Sequence, residues 1–395
     1  MHCTRQITDD LIWVGGNDKK LSMFEGYYPV PDGMSYNSYV LLDEHTALFD
    51  CASESISNTF AENVVRALNG RTLDYLIIHH MEPDHSADAD DILSIYPDVK
   101  IVCTSKASAM LTQFLSREIP NEIIEVGDND VLTLGSHTLH FMTAPMVHWP
   151  EVMMSYDDKD EILFSADAFG TFGTLDGAVT DVEDLNIDEY RRYYTNIVGK
   201  YGTQVKAVLA KASKLKIRMI CPLHGPMLKN QIGKIIEKYT AWAAYESEEK
   251  GTVLAYATIY GNTGNASEIL ALKLREKGVK VKMYDTSVTH SSYILSDIFK
   301  YSNVVLASPT CNSAIFVTME NLISEITAHN VQNKSISVIE NGSWAPVAGK
   351  LMRAKFEKSK NITFIGDTLT VKSALNKESL SKLEALADEI ANSIT

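Results

Sequence analysis

The sequence has 395 residues, which is enough for two or three domains that each bury a core of their own. Its 45% hydrophobic and 22% charged residues, with 21 Gly and 11 Pro, are typical of a folded globular protein rather than a disordered or fibrous one. The formal net charge of -15 argues against nucleic acid and anionic membrane surfaces as main partners.

Paired strands and scattered helices are predicted for the first 250 residues. Apolar runs indicate three strand pairs, namely 36–43 with 46–50, 131–134 with 137–143, and 152–156 with 162–165. Helices are predicted near residues 56–68 and 87–94. This mixture indicates an α+β domain in which helices cover the outside of the sheets.

A boundary is predicted near residue 250, where the charged stretch 246–251 ends in Gly251 and an apolar strand begins. Five strands follow, near residues 253–257, 279–284, 304–307, 336–339 and 362–365, and helices such as 267–277 and 377–393 alternate with them. The alternation predicts an α/β domain with a doubly wound, five-stranded parallel sheet. The predicted domains are therefore residues 1–250 and 251–395.

The five cysteines are odd in number and widely scattered, and no CxxC occurs. This pattern favours reduced thiols over a disulfide framework or a thiolate metal site. The N-terminus does not resemble a secretory signal, and no run of about 18 apolar residues follows. A cytoplasmic protein without a membrane segment is expected.

Metal-ligand residue types are densest in the segment LIIHHMEPDH at residues 76–85. In an extended chain residues i and i+2 project to the same side, so His80 and Glu82 can reach one metal. Asp84 and His85 project differently and can reach a second metal, while Pro83 restricts the loop between the two pairs. The spacing therefore favours two metals over one.

There are three further candidate ligands, His148, Asp167 and His224, and each follows an apolar run. Binding and catalytic residues often lie on loops of this kind. The remaining histidines are predicted to be structural or exposed. Among them, His79 neighbours His80 but should point to the opposite face of the strand.

The motif His-x-Glu-x-Asp-His, followed by distant His, Asp and His, resembles the metallo-β-lactamase fold, an αββα sandwich. Hydrolases of that superfamily usually carry His at the position of Glu82 and bind zinc. The version with Glu resembles the flavodiiron proteins, also called A-type flavoproteins, which bind two irons. An oxygen-rich ligand set suits iron better than an all-imidazole set does.

The resemblance implies a complete set of metal ligands. Ala87 stands where many relatives have Gly, which concerns local loop geometry and not ligation. For His85, both direct ligation and replacement by water remain open. Carried over residue by residue, the pattern assigns His80, Glu82 and His148 to one iron, Asp84, His85 and His224 to the other, and Asp167 as the bridging carboxylate.

The second domain opens with the loop TIYGNTGN at residues 258–265, which contains no Lys or Arg. A phosphate there would be held by backbone N–H groups, a helix N-terminus and hydroxyl groups, which resembles the phosphate loop of flavodoxins and implies FMN. The loops SPTCN and ENGSWAP follow the third and fourth strands and match flavodoxin-like isoalloxazine loops. The predicted FMN-binding residues are Thr258, Tyr260, Gly261, Asn262, Thr263, Ser308, Pro309, Thr310, Asn312, Asn341, Gly342, Ser343 and Trp344.

The resemblance spans nearly the whole chain and implies an oxidoreductase that reduces O2 to water, NO to N2O, or both. Two ferrous ions and one fully reduced FMN hold the four electrons that O2 requires. No catalytic residue beyond the metal ligands is predicted. Trp149 and Tyr194 are expected to shape the pocket or simply to pack. No four-cysteine rubredoxin module or flavin-reductase extension is present, so a separate rubredoxin or similar small redox protein is expected as the electron donor.

The resemblance also implies that flavin and irons lie too far apart for fast electron transfer within one subunit. A head-to-tail homodimer, or a dimer of such dimers, is therefore expected.

Two other classes of protein use part of these features. A zinc-dependent hydrolase with an accessory flavin domain would use the same metal pocket, although Glu82 and the flavin loops argue against it. A non-catalytic electron carrier would need only the flavin domain and would leave seven clustered ligand-type residues unexplained.

Overall fold

The structure is a computed structural model that describes residues 3–115, 118–177, 179–180 and 185–394. The chain forms two compact units. The first contains the residues up to Tyr194 together with Thr203–Thr240, and the second contains Thr195–Gly202 together with the residues from Ala241 onward. Each unit has its own sheets and core.

The first unit contains many short strands. In chain order they are β1 (Arg5–Gln6), β2 (Leu11–Trp13), β3 (Gly16–Asp18), β4 (Met23–Phe24), β5 (Tyr28–Pro29), β6 (Met34–Tyr36), β7 (Tyr39–Leu42), β8 (Thr46–Phe49), β9 (Tyr75–Ile77), β10 (Lys100–Cys103), β11 (Ile123–Glu125), β12 (Val131–Thr133), β13 (Thr138–Thr143), β14 (Met153–Asp157), β15 (Ile162–Phe164) and β16 (Met219–Cys221). The helices up to residue 243 are α1 (Ser57–Leu68), α2 (Pro83–Ser86), α3 (Ala89–Ile95), α4 (Ser105–Phe114), α5 (Ile187–Tyr193), α6 (Gly202–Ala212) and α7 (Ile232–Ala243).

Two sheets of the first unit face one another. One has the strand order β1-β2-β7-β8-β9-β10-β11 and the other β12-β13-β14-β15-β16. Apolar side chains from both sheets form one core, in which the rings of Phe49 and Phe164 stack at 4.0 Å. The three predicted strand pairs are confirmed as antiparallel pairs β7–β8, β12–β13 and β14–β15.

The second unit alternates strands and helices. Its strands are β17 (Glu249–Tyr256), β18 (Val281–Asp285), β19 (Tyr301–Cys311), β20 (Ala314–Ile315), β21 (Lys334–Asn341), β22 (Ile362–Phe364) and β23 (Leu369–Val371). Its helices are α8 (Asn262–Glu276), α9 (Ser291–Lys300), α10 (Val317–Ala328), α11 (Ala348–Lys355) and α12 (Lys377–Ile394).

The sheet of the second unit has the order β18-β17-β19-β21-β22, with parallel pairing between these five neighbours. Helices α8 and α12 bury one face of it through a core that includes Leu270 and Ile390. Helix α10 contacts both α9 and α11, and all three helices contact strands of the same sheet. The predicted doubly wound parallel sheet is confirmed.

Two details differ from the sequence prediction. The last parallel position is shared by β22 and β23, which both pair with β21, and β20 adds a short antiparallel strand beside β19. Helix α8 begins at Asn262 rather than near 267, because Gly261 takes a left-handed φ of 89° and turns the chain directly into the helix. In the described part of the chain, no helix is long and apolar enough to span a membrane.

Candidate metal centre and flavin pocket

The predicted metal ligands lie where strands of the two facing sheets end. The segment 78–85 follows β9, Asp167 follows β15, and His224 follows β16. His148 lies in the connection from β13 to β14, and the start of β14 pairs alongside the end of β15. All seven predicted ligands therefore gather at one end of the sandwich.

The first group consists of His80, Glu82, His148 and Asp167, whose ligand-type atoms all lie within 4.8 Å of one another. His148 Nε2 lies 3.0 Å from Glu82 Oε2 and 3.0 Å from Asp167 Oδ2. His80 Nε2 lies 3.3 Å from His148 Nε2. Four ligand atoms thus converge on a single point.

The second group consists of Asp84, His85 and His224 and meets the same distance criterion. The Nε2 atoms of His85 and His224 face each other at 3.0 Å. Asp84 Oδ2 lies 3.2 Å from His224 Nε2 and 3.3 Å from His85 Nε2.

Asp167 faces both groups, one with each carboxylate oxygen. Its Oδ2 lies 3.0 Å from His148 Nε2, and its Oδ1 lies 3.1 Å from His85 Nε2. Its exposure is only 1%. A carboxylate in this position can bridge two metal ions.

The electrostatics favour the ionised forms of Asp167 and Glu82. Burial alone would raise the pKa of Asp167, but the charge of His85 and the hydrogen bond with His148 hold that pKa well below its usual range. Burial also opposes ionisation of Glu82, yet hydrogen bonds with His148 and His80 lower its pKa to about 2. Conversely, burial disfavours charge on His148, but Asp167 and Glu82 raise its pKa to about 9.

Sequence reasoning missed three residues that support the site, of which two orient imidazoles and one holds the backbone. Glu151 Oε1 accepts a hydrogen bond from His80 Nδ1 at 2.8 Å, and the Ser35 carbonyl accepts one from His224 Nδ1 at 2.7 Å. Asp50 Oδ1 accepts the backbone N–H of His79 at 2.7 Å. These partners leave the Nε2 atoms of His80 and His224 directed at the two groups.

The backbone around the site is locally constrained. Ala166 has φ +49° immediately before Asp167, and Gly225 has φ +81° immediately after His224. A Cβ on Gly225 would lie 2.4 Å from Thr171 Cγ2, so only glycine fits there. Such strained positions are often found where a backbone must aim a functional side chain.

Aromatic rings enclose the second group more than the first. Phe24, Tyr36 and Tyr193 lie with ring centroids 5.4, 5.6 and 5.7 Å from His224. Trp149 lies edge-on to His80 at 5.2 Å, in the position expected of a pocket residue. Tyr194 instead packs against Tyr239 at 4.9 Å.

The chemistry of the site fits metal ions. Because the Ser35 carbonyl can only accept a hydrogen bond, the neutral His224 ring carries its proton on Nδ1 and presents a bare Nε2 lone pair. Both oxygens of Asp84 and Oδ1 of Asp167 are buried without a hydrogen-bond partner. Buried acceptors facing each other are costly, and a cation between them satisfies all of them.

The other histidines behave differently. His79 is buried away from the groups and hydrogen-bonds Asp50 Oδ2 at 2.6 Å and Ser155 Oγ at 2.8 Å, as predicted for a structural residue. His137, with Asp157 and Asp160, forms a third group close enough to hold a metal. Lys159 Nζ already lies 2.9 Å from His137 Nε2, so a lysine supplies the positive charge there. His2 lies outside the described residues.

The three predicted flavin loops surround one cavity of about 490 Å³ at the carboxyl ends of β17, β19 and β21. Eleven of the thirteen predicted residues line it, all except Gly261 and Ser308. Gly261 lies at the N-cap of α8. Ser308 is fully buried, and its hydroxyl is engaged by Pro309 O and Phe316 N, so it supports the loop from behind.

Four residues that line the flavin cavity were not predicted, namely Ile259, Ser313, Ala345 and Ser373. Ser373 comes from a fourth loop, after β23, and exchanges two 3.0 Å hydrogen bonds with the side chain of Asn341. Ser373 could not be predicted from sequence, because a lone serine after a three-residue strand has no recognisable pattern.

The cavity fits FMN. Its volume is typical of cofactor sites, and the N-terminus of α8 opens onto it through Asn262 and Thr263. Among the described residues that line it none is charged, so hydroxyl, amide and backbone groups would hold the phosphate and ring. Trp344 and Tyr260 are 82% and 92% exposed at its mouth, where aromatic faces are available to a flat ring.

The folds of the two units define the class of protein, a metallo-β-lactamase-like sandwich joined to a flavodoxin-like sheet. A family model described as ODP family beta lactamase matches residues 34–225. A nitric oxide reductase of Moorella thermoacetica is 29% identical over 98% of this chain and 97% of its own length. An anaerobic nitric oxide reductase flavorubredoxin of Pectobacterium atrosepticum is 30% identical, over 90% of this chain and 72% of that protein.

Solved structures agree. The rubredoxin oxygen:oxidoreductase of Desulfovibrio gigas superimposes with a TM-score of 0.93 and 26% identity, covering 99% of this chain and 98% of that one. A flavodiiron protein of Thermotoga maritima superimposes with a TM-score of 0.91 over 100% of this chain and 99% of its own, and at 22% identity it supports the fold alone. The chain belongs to the flavodiiron protein family.

Proposed function

We infer that this chain is a flavodiiron oxidoreductase, which reduces O2, NO or both at a binuclear iron centre with electrons delivered through FMN. This proposal is supported by the names of two relatives. One is called a nitric oxide reductase and the other a rubredoxin oxygen:oxidoreductase, so NO and O2 are both named. The zinc hydrolase alternative is not favoured.

The irons would be held by the two groups of residues described above. We propose His80, Glu82 and His148 as ligands of one iron, Asp84, His85 and His224 as ligands of the other, and Asp167 as the bridge. The main observation behind this proposal is that Asp167 faces both groups. One carboxylate oxygen lies 3.0 Å from His148 Nε2 and the other lies 3.1 Å from His85 Nε2. Three carboxylates among seven ligands make an oxygen-rich set that suits iron.

When bound, the irons and the flavin supply the electrons and the open coordination positions that reduction of a diatomic gas requires. The protein's own residues hold these groups and exclude water. Glu151 and Ser35 fix two imidazoles, while Phe24, Tyr36 and Tyr193 surround His224 with apolar ring surface. A small uncharged gas can enter such a pocket at little desolvation cost.

FMN would be held by the loops after β17, β19 and β21. The eleven predicted residues that line the cavity are proposed as its contacts, with Gly261 providing the turn into α8. We retain residues 1–250 and 251–395 as the proposed independently folding domains. A fragment that starts at residue 251 should therefore bind FMN by itself, and its failure to fold would contradict this division.

The electron donor is proposed to be a separate rubredoxin or similar small redox protein. The name of the Desulfovibrio gigas relative includes rubredoxin, and the five free cysteines of this sequence are scattered without a CxxC. The same thiols are consistent with a proposed cytoplasmic location.

The test of the function measures iron, zinc and FMN in purified protein and then the consumption of O2 and NO with reduced rubredoxin. Glu82→His should shift the site toward zinc and abolish gas reduction while FMN stays bound. Glu122→His, an exposed position, is the matched control and should change neither. Two irons and normal turnover in Glu82→His would overturn the selectivity argument.

We also propose a head-to-tail homodimer in which each flavin lies beside the irons of the other subunit. The exposed aromatic side chains of Tyr260 and Trp344 at the mouth of the flavin cavity support a protein partner there. The arrangement would be isologous about a two-fold axis.

Hybrid dimers test this arrangement. One inactive variant has His80 and Asp84 replaced, and the other has Thr263 and Asn312 replaced. After unfolding and refolding together, a hybrid pairs one intact iron site with one intact flavin site, so part of the activity should return. No recovery despite demonstrated hybrids, or full activity in a verified monomer, would refute transfer between subunits.

A further inference from the structure

A buried acid lies directly behind the flavin cavity. Glu340 is the penultimate residue of β21, just before the cavity-lining Asn341, and is only 7% exposed. Its Oε2 accepts the backbone N–H of Gly349 at 2.8 Å, and its Oε1 accepts the Thr370 hydroxyl at 2.8 Å. Neither of these partners is a cation.

The two hydrogen bonds of Glu340 link three parts of the flavin site. Gly349 lies in the first turn of α11, immediately after the loop 341–347. Thr370 lies on β23, which leads into the fourth loop, with Ser373. Glu340 therefore holds both ends of the loop that carries Trp344, because that loop leaves the strand at Asn341 and returns to the helix that the carboxylate anchors.

The same helix end is tied to the second flavin loop. Thr310 Oγ1 accepts the backbone N–H groups of Val347 at 3.0 Å and of Ala348 at 3.1 Å. Together with Gly349, three N–H groups at the start of α11 are thus satisfied by side chains from β19 and β21. A helix N-terminus carries partial positive charge, which is how a carboxylate without a cation is accommodated.

The space around the carboxylate is closely filled. A Cβ on Gly349 would lie 3.1 Å from Glu340 Oε2 and 2.3 Å from Thr368 Cγ2. The close approach of the helix to the acid therefore depends on glycine at this position. A side chain enclosed in this way cannot reorient without moving the loop.

We propose that Glu340 is a positioning residue of the flavin site, which holds the loop 341–347 in place and lowers the reduction potential of the bound FMN by its buried charge. Among the described residues that line the cavity none is charged, so no side chain there offsets the charge of the buried Glu340. Reduced flavin carries more negative charge than oxidised flavin, and a negative neighbour disfavours it. This inference rests on the proposed flavin site.

The charge and the reach of the side chain can be separated by two substitutions. Glu340→Gln keeps an acceptor for Gly349 and removes the charge. It should raise the midpoint potential of bound FMN and leave its dissociation constant within about threefold of the wild-type value, since less than about 1 kcal/mol of binding is lost. Glu340→Asp keeps the charge but is too short to reach Gly349. It should weaken FMN binding roughly tenfold, the loss of about one hydrogen bond, with little change in potential.

The measurements are an equilibrium FMN titration of apoprotein and a redox titration of the flavin absorbance under argon. Glu320→Gln is the matched control, because Glu320 is a 40% exposed acid of the same unit that pairs with Lys355. It should alter neither quantity. If Glu340→Gln cannot be recovered with FMN, Thr370→Val is measured instead. This isosteric substitution removes one hydrogen-bond donor from the Glu340 carboxylate and leaves its negative charge less compensated, so the midpoint potential of bound FMN should fall.

The outcomes separate the inference from the proposed function. Absence of FMN binding by the wild-type protein would refute the flavin site itself. If wild-type protein binds FMN but Glu340→Gln has an unchanged potential, or only a lower melting temperature, Glu340 is merely structural and the inference is overturned. An unchanged or raised potential in Thr370→Val also overturns it.

Discussion

Glu151 allows a direct test of how the protein holds His80. Its side chain is fully buried, and Oε1 accepts hydrogen bonds from His80 Nδ1 at 2.8 Å and from the Met81 N–H at 3.0 Å. Glu151→Gln keeps an acceptor oxygen in the place of Oε1 and removes the charge. Its NH2 group takes the place of Oε2, which has no described hydrogen-bond partner, so both bonds of Oε1 can remain. The substitution therefore isolates the electrostatic part of the contact.

The magnitude follows from these two bonds. A hydrogen bond to a charged group contributes about 1 kcal/mol more than a neutral one. For the His80 bond this predicts roughly fivefold weaker metal binding, just below the range of about 10- to 100-fold known for such outer partners. For the Met81 bond it predicts a loss of about 1 kcal/mol in the free energy of unfolding of the metal-free protein.

The assay measures iron retained at increasing concentrations of a ferrous chelator, together with urea unfolding of apoprotein. Glu122→Gln is the control, because Glu122 is 59% exposed and pairs with Lys100 at 2.8 Å on the surface. It should retain iron like the wild type, since surface pairs contribute little. Equal iron retention by folded Glu151→Gln and wild type would refute the argument, as would equal losses in both variants.

Three further predictions concern stability. Burial raises the pKa of Asp88 from 3.8 to about 6, so the folded state loses stability as pH rises from about 4 to about 6. Asp88→Asn should therefore stabilise the protein at pH 8 by on the order of 2 kcal/mol and have little effect below the unfolded pKa, near pH 3.5. Equal shifts in denaturation at both pH values would contradict this. Tyr193→Phe removes a buried hydroxyl that has no described hydrogen-bond partner, so it should raise the melting temperature, and a lower melting temperature would contradict this. Phe49→Ala should cost about 3–5 kcal/mol in thermal or urea unfolding, because it opens a cavity where Phe49 stacks on Phe164 at 4.0 Å, and a loss below about 1 kcal/mol would mean that the two sheets close over the gap.

The candidate ligands and the candidate flavin loops were accessible from sequence because each has a local signal. His80, Glu82, Asp84 and His85 lie within six residues, and extended-chain geometry alone separates them into two pairs. The flavin loops each follow an apolar strand and combine Gly, Asn, Ser and Thr in a recognisable order.

The supporting residues have no such signal. Glu151 meets His80 from 71 positions away, and the Ser35 carbonyl meets His224 from 189 positions away. A single Glu or a backbone carbonyl has no sequence motif that marks it as a partner of a histidine. Such a partner can be identified only when the arrangement of the strands is known. Ser308 illustrates the reverse case, since it belongs to a flavin-like loop but its hydroxyl is taken by Pro309 and Phe316.

The sequence by itself determined the two fold types, the seven candidate ligands and the three main flavin loops, because periodicity, spacing and turn residues are local properties of the chain. Only the tertiary structure decided that Asp167 faces both groups, that Glu151 holds His80, and that Glu340 connects strand, helix and loop behind the flavin cavity. The physical reason is that each of these contacts joins the ends of elements far apart in sequence. Their distances depend on strand order and register, which a linear pattern does not contain.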